Sequence, residues 1–428
     1  MTTKPGMAPD AVAVGPPEEP TARRAVSEQP QNTRKPVTRG GVVRKKSTMS
    51  VIVLALAVAV WALALSGCGS SSSSTGGSAP ASTTTASSAI QTTAQKLVAP
   101  YEKLPPASAY PTLPAINPGT ANVAVMSCTF ANDCLLSGEQ AVDAFRAMGW
   151  KSDPTQNGNF STATWSAFMA RAASQHLAGV VLIGIDVNTI SASVNEAVSA
   201  GVKIACVFCQ SGAQWNGKVY DVGPNLQNMG YVATMEAIAE YGTNLKLVDF
   251  NSPGTDAIVE RHLGVASTIA KYCPSCSFHT VTVNNVQLGE PGPPPWDSYL
   301  ETHPQGTVNY VIGPFDNLDN EIAKTDQSEG RTDVQVGGYG FAGALPYIED
   351  GQEQSIVTYG FGYYGYLAAE VIALLHANKP VPAGLTSLPV MLVTKNNVNI
   401  VADNDNAGHY IAPPGDWQKT FLTSWGKA

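Results

Sequence analysis

The stretch Gly179-Val-Val-Leu-Ile-Gly-Ile185 is apolar throughout, with no polar residue to mark a solvent-facing side. A strand with one wet face alternates. A strand this uniform is buried on both faces, as in a parallel sheet covered by helices on either side. Similar runs recur at Val123–Met126, Val202–Phe208, Leu245–Phe250, Phe278–Val283, Val308–Gly313, Val334–Tyr339 and Ser355–Gly360, with Val390–Thr394 as a late strand. Between them lie stretches of helical character at Ser137–Met148, Thr162–Leu177, Ile190–Ala200, Leu226–Tyr241, Asp256–Tyr272, Leu318–Gln327 and Tyr364–Ala377. Ser137, with Gln140 three residues on, has the form of a capping box, and Asp256 that of a helix cap. So many alternating strands and helices specify an α/β protein and exceed one compact open sheet. The strand-like Lys218–Val222 passes into a new helix near Asn225, which divides the chain. The expected fold is therefore α/β, two doubly wound parallel-sheet lobes, with ligands beyond the carboxyl ends of the strands.

Charge narrows the function. Only 14% of the 428 residues are charged, against a usual ~25%. Residues 1–67 carry nine basic and four acidic side chains, which leaves residues 68–428 with a formal charge of −13. A body that acidic repels a phosphate backbone, so no nucleic acid is expected as a partner. The six histidines (176, 262, 279, 303, 376 and 409) are scattered, without metal-ligand spacing, and no metal is expected. A literal G-x-G-x-x-G stands at Gly360–Gly365. A dinucleotide fold would need an acidic residue about 20 positions further on. None occurs between Glu370 and Asp403, so no cofactor is expected, and these glycines suit a second crossing between lobes. With no G-x-S-x-G, paired-carboxylate or metal motif, the chain does not look like an enzyme.

Residues 1–50 form a Pro-, Thr- and Arg-rich leader without hydrophobic period, expected to be disordered. Val51–Leu65 follows as an uncharged apolar run of 15 residues. That is short for a span of ~20 residues and suits a signal-peptide core. Leu65-Ser66-Gly67-Cys68 resembles the bacterial lipobox, which implies a lipid on Cys68, with 51–67 as signal core and lipobox. A plain single-pass anchor is the alternative. Residues 68–118, rich in Ser, Thr and Pro, are expected to be a flexible tether.

Six cysteines remain, in three local pairs: Cys128 with Cys134, Cys206 with Cys209, and Cys273 with Cys276. An even count in an exported chain argues for disulfides. The two C-x-x-C pairs fall in opposite lobes, which disfavours one shared zinc ion. Neither has the strand–C-x-x-C–helix setting of a redox thiol. If Cys206–Cys209 were fully extended, the Cα atoms would lie ~10 Å apart, beyond the ~7 Å a bridge tolerates. A bridge there requires the chain to turn near Phe208.

Several segments together resemble the type 1 periplasmic binding proteins, the ribose/galactose-binding-like substrate-binding subunits of ABC importers. Ala173–Ile185 is similar to that family's entry into its third strand, and Asp221-Val222-Gly223-Pro224-Asn225 to its first lobe crossing. Gly254-Thr255-Asp256-Ala257, with Glu260-Arg261 and Gly264, resembles a segment bearing a ligand-contacting arginine, and Lys379-Pro380-Val381-Pro382 resembles a closing loop. The resemblance implies an N-terminal lobe of 119–221 plus 360–388 joined by a hinge to a C-terminal lobe of 222–359 plus 389–400, and a polar tail of 401–428. It implies a monomeric lipoprotein on the outer face of the bacterial cytoplasmic membrane. That protein would bind a small hydroxylated solute and deliver it to ABC permease subunits. A sensory protein reporting to a membrane receptor is the alternative.

Family geometry places the solute between facing strand ends. Arg261 would contact it, the alternative being an ion pair with Glu260. Asp186 and Gln210 offer acceptors to hydroxyls, or serve equally as caps; Asn251 follows the fifth strand, and Phe315 and Asp316 the seventh, with a helix cap as the alternative for Asp316. Tyr339 stands where the family commonly has a carboxylate, and Tyr359 where an amide is common. These departures point to an aromatic-lined pocket in which Phe130, Phe315, Tyr339 and Tyr359 stack on sugar faces or a flat ligand.

Overall fold

The computed structural model describes residues 82–129, 132–289, 296–340, 343–403 and 413–428, all within one contact unit, Gly76–Ala428. The leader, the signal core, Cys68 and Phe130 lie outside the described residues. The chain runs through helix α1 (Ser82–Val98), β1 (Asn122–Ser127), α2 (Asn132–Met148), β2 (Lys151–Ser152), β3 (Gln156–Asn157), α3 (Thr162–Ser174) and β4 (Gly179–Ile183). It continues through α4 (Ser191–Ser199), β5 (Lys203–Val207), β6 (Val219–Val222), α5 (Leu226–Tyr241), β7 (Lys246–Asn251), α6 (Asp256–Tyr272) and β8 (Ser277–Thr282). Then come α7 (Asn285–Gly289), α8 (Trp296–Thr302), β9 (Tyr310–Ile312), α9 (Asp316–Ser328), β10 (Gln335–Tyr339) and α10 (Leu345–Asp350). The last elements are β11 (Glu353–Tyr359), α11 (Phe361–His376), β12 (Val390–Thr394), α12 (Val398–Asp403) and α13 (Trp417–Ser424). Among the described residues no helix is long and apolar enough to cross a membrane.

Two six-stranded sheets result. The first has the order β2-β1-β4-β5-β6, with β3 also on β1, and every pairing is parallel. Its middle strand explains the uniform run. Val181 and Ile183 enter one core with α2 and α11, while Val180 and Leu182 enter another with α3 and α4. The second sheet has the order β12-β11-β10-β9-β7-β8, parallel except for the antiparallel β11–β12 pair. The lobes connect between β6 and α5, between β11 and α11, and before β12. The first and third connections are tied together: Gly223 N donates to Leu385 O (2.7 Å) and Leu388 N donates to Gly223 O (3.1 Å).

Four expectations need correction. Ser82–Val98, inside the expected tether, is helical, because Ile90, Ala94, Leu97 and Val98 form an apolar face that packs on α5. Gln91 Nε2 also donates to Glu240 O (2.8 Å). The polar tail of 401–428 contains α13, whose Trp417 and Phe421, with Trp425 just beyond, are buried against α11 at four-residue spacing. Ser137 caps nothing, since α2 begins five residues earlier. Its buried hydroxyl instead donates to Phe361 O (3.0 Å), fastening α2 to the start of α11. Asp256 is the first residue of α6 rather than its cap, which is Thr255, and its carboxylate accepts from Asn188 Nδ2 of the other lobe (2.8 Å).

Candidate functional site

The carboxyl ends of β1, β4 and β5 face the start of α6, the start of α9 and the end of β11 across a cavity of about 70 Å³. The N-terminal lobe lines it with Cys128, Asp133, Cys134, Phe160, Gly184 and Phe208. The C-terminal lobe contributes Thr255, Ala257, Ile258, Arg261, Phe315, Asp316 and Tyr359. Small-molecule sites usually measure ~300–1,000 Å³. The lobes are therefore closed on one another here.

Arg261 is 6% exposed. Its Nη1 donates to Pro314 O (2.9 Å), its Nη2 to the Tyr359 hydroxyl oxygen (3.4 Å), and its guanidinium stands 4.7 Å from the centre of the Tyr339 ring. Ring and carbonyl hold the cation in place after it has lost most of its water. Its Nε is buried without a partner. Glu260 does not pair with it, since the Glu260 carboxylate accepts from Gln227 Nε2 (2.8 Å).

Carboxylates approach from both lobes. Asp316 opens α9, its Oδ1 accepting from Asn317 N (2.9 Å) and its Oδ2 from Gly343 N (3.3 Å). Gly340 has φ +124°, and a Cβ there would lie 2.5 Å from Asp133 Oδ2 and 2.9 Å from Asp316 Cβ. Only glycine lets these two acids approach it from opposite lobes. Asp319, one turn along α9, is fully buried; burial first, and then Asp316, raise its pKa well above the usual carboxylate value, while Arg261 opposes the shift. Aromatic rings complete the lining. Phe160 of one lobe stacks on Phe315 of the other (6.3 Å, 22°), and Phe208 meets Tyr359 edge-on (4.7 Å, 61°). A fork of donors, two acceptor groups and flat apolar faces suit a small ring that carries hydroxyls. Among the described residues no group of His, Cys, Asp and Glu could hold a metal ion.

Of the residues singled out from sequence, Arg261, Phe315, Asp316 and Tyr359 line the cavity together. Asp186, Gln210, Asn251 and Tyr339 do not. Tyr339 is 2% exposed and lies beneath Arg261; Asn251 ends β7 with a buried, unpartnered Oδ1; Gln210 follows the bridge Cys206–Cys209. Asp133, Phe160 and Phe208 were missed. Phe208 alone had a signal, because the cysteine spacing demands a turn there, and its φ is 60°. All three cysteine pairs are bridged, with Cα separations of 6.3, 5.6 and 5.3 Å.

Asp186 has a different place. It belongs to the loop after β4 and is joined to Asp256 of the opposite lobe through Asn188, whose N donates to Asp186 Oδ1 (2.8 Å) and whose Nδ2 donates to Asp256 Oδ2 (2.8 Å). Burial, and then the charge of Asp256, push its pKa up from 3.8 to about 6, while the backbone N–H of Asn188 opposes the shift. Asp221 adds a third acid nearby, held by Ser211 N (3.0 Å) and Ser211 Oγ (2.8 Å). Parting the lobes would take Asp256 away from Asp186 and lower its pKa toward the ordinary value. The closed form then keeps a proton that the open form releases. This contribution to closure is complete below about pH 4 and is lost as pH rises through about 6. Small-angle scattering should show the solute-free protein expanding over that range, and Asp186→Asn should flatten the transition. An unchanged profile in the variant would remove the pair as its cause.

A family sequence model described as "Periplasmic binding protein domain" matches residues 123–380, more than half of the chain. The chain belongs to that family. Solved periplasmic binding proteins and their relatives share the fold at low identity. An ABC transporter solute binding protein from Agrobacterium vitis with bound allitol is 14% identical, with a TM-score of 0.59 over 67% of this chain and 99% of that one. A carbohydrate transporter from Acidothermus cellulolyticus 11B in complex with myo-inositol is 16% identical, with a TM-score of 0.56 over 67% and 98%. A chain of a XylFII-LytSN complex is 14% identical, with a TM-score of 0.57 over 65% and 99%. No curated protein sequence matches this one.

Proposed function

We propose that the protein captures a small hydroxylated solute, a sugar or a polyol, in the interlobe cleft and presents it to an ABC importer. The lining carries this reading: the Arg261 guanidinium, the Asp133 and Asp316 carboxylates, and rings from both lobes converge on one cavity. Arg261 donates to ring or chain hydroxyls, the acids accept from them, and Phe160, Phe315, Phe208 and Tyr359 cover the C–H faces. Asp186 acts at the rim as a latch between the lobes. Allitol and myo-inositol, bound in two structural neighbours, are of the same chemical class. Cys68 would carry the lipid that keeps the protein at the membrane. Sensing is the second reading, favoured by the XylFII-LytSN complex among the neighbours.

A thermal-shift screen over polyols, pentoses, hexoses, purines and amino acids tests the solute class. At a hundred times Kd a solute adds about 2.7 kcal/mol to stability, which raises Tm by several degrees. Polyols or sugars should give the shift. Stabilisation by purines or amino acids alone would overturn the proposal.

A further inference from the structure

Phe208 is an aromatic residue in left-handed backbone conformation, with φ 60°, and Gln210 two residues on has φ 45°. Non-glycine residues take this conformation only where the surroundings over-determine it, often at functional sites. Here the constraint is covalent. The bridge from Cys206 near the end of β5 to Cys209 draws the two Cα atoms to 5.6 Å, which forces the chain to turn at Phe208. Both bridged cysteines are buried, so the turn is fixed on the core side as well.

The turn aims the ring at the hinge. Phe208 N donates to Val222 O (3.3 Å), the last residue before the first lobe connection, and a Cβ on Gly223 would lie 3.3 Å from the ring. The ring also meets the second connection, with Tyr359 at 4.7 Å and Phe361 at 6.2 Å. Gly223 in turn exchanges hydrogen bonds with Leu385 and Leu388 of the third connection. The ring thus packs against two of the three chain passages, reaches the third through Gly223, and also lines the cavity. The bridge Cys273–Cys276 joins residues of the same spacing but sits at the far end of α6, beside Gly242, away from the hinge.

We propose that the Cys206–Cys209 bridge is a positioning element for lobe closure: it holds Phe208 as the wedge on which the lobes pivot. Hinge stiffness, and through it the grip on a solute, then depends on a disulfide outside the contact set that recognises the solute's hydroxyls. The link to grip rests on the solute-binding reading; the link to the hinge does not.

Amide hydrogen exchange on the full chain tests it, comparing Cys206→Ser/Cys209→Ser with Cys273→Ser/Cys276→Ser in solute-free samples. The first pair should speed exchange about ten-fold at Phe208 and across both neighbouring connections, residues 222–226 and 357–364, while the second leaves these segments unchanged. Phe208→Ala, with every bridge intact, should reproduce the faster exchange at the connections, and it carries the test if the first double variant does not fold. Equal effects of the two double variants, no effect of the first, or unaltered connections in Phe208→Ala would each overturn the proposal. A parallel series with myo-inositol on the parent protein reads the solute proposal separately. Absence of protection there counts against that reading and leaves the solute-free comparison intact.

Discussion

Replacing Arg261 with alanine should abolish solute-induced stabilisation and lower the protein's own stability. Both effects follow from one position. The guanidinium is nearly excluded from water, spans Pro314 O and Tyr359, and rests on Tyr339. It is also the cation that opposes the pKa rise of buried Asp319. Removing the guanidinium leaves Pro314 O without its donor and takes the cation from the Tyr339 ring, which costs about 1–3 kcal/mol. Loss of a buried, charged hydrogen-bonding group from a binding site costs about 2–5 kcal/mol in affinity. Arg261→Lys separates the effects. Lysine keeps the charge but not the planar fork or the stacking, so stability should recover while the solute shift stays small. Denaturant titration without solute gives the first quantity, and the thermal-shift screen gives the second. An undiminished solute shift in Arg261→Ala would remove Arg261 from the site.

How much of this was legible depended on where the physics was local. The strands could be read because burial on both faces leaves an uninterrupted apolar run, and β4 has that environment along its whole length. The turn at Phe208 could be read because a bridge across three residues excludes an extended chain. Arg261 could be read only through the resemblance of its segment, since nothing in a helical Glu-Arg-His says which residue turns inward. Tyr339 shows the opposite failure. It ends a strand where a ligand contact is natural, yet its side chain lies within the core beneath Arg261. Asp133 and Phe160 come from stretches after β1 and β3 and reach the site only because the lobes close. No local pattern encodes that approach.

The missed C-terminal helix has the same cause and the second large consequence. Trp417, Phe421 and Trp425 stand among Pro, Gly, Asp and Lys, so average polarity concealed a stripe whose four-residue spacing marks one helical face. Phe421 is fully buried, 5.4 Å from both Tyr363 and Tyr366 of α11. Trp425 Nε1 donates to buried Glu370 on the same helix, whose pKa burial pushes up to about 7. Phe421→Ala should therefore destabilise the protein by about 3–5 kcal/mol in denaturant titration, and Phe421→Leu by much less because most of the volume is kept. The damage should extend beyond stability. α11 begins at the second lobe connection, and its Tyr364 hydroxyl donates to Pro389 O (3.2 Å) beside the third. A helix that braces α11 therefore braces two of the passages on which the lobes pivot. Phe421→Ala should accordingly weaken solute binding even where the variant is fully folded, although Phe421 does not line the cavity. Unchanged affinity in the folded variant would confine α13 to stability alone, and wild-type stability would show that its burial contributes nothing measurable.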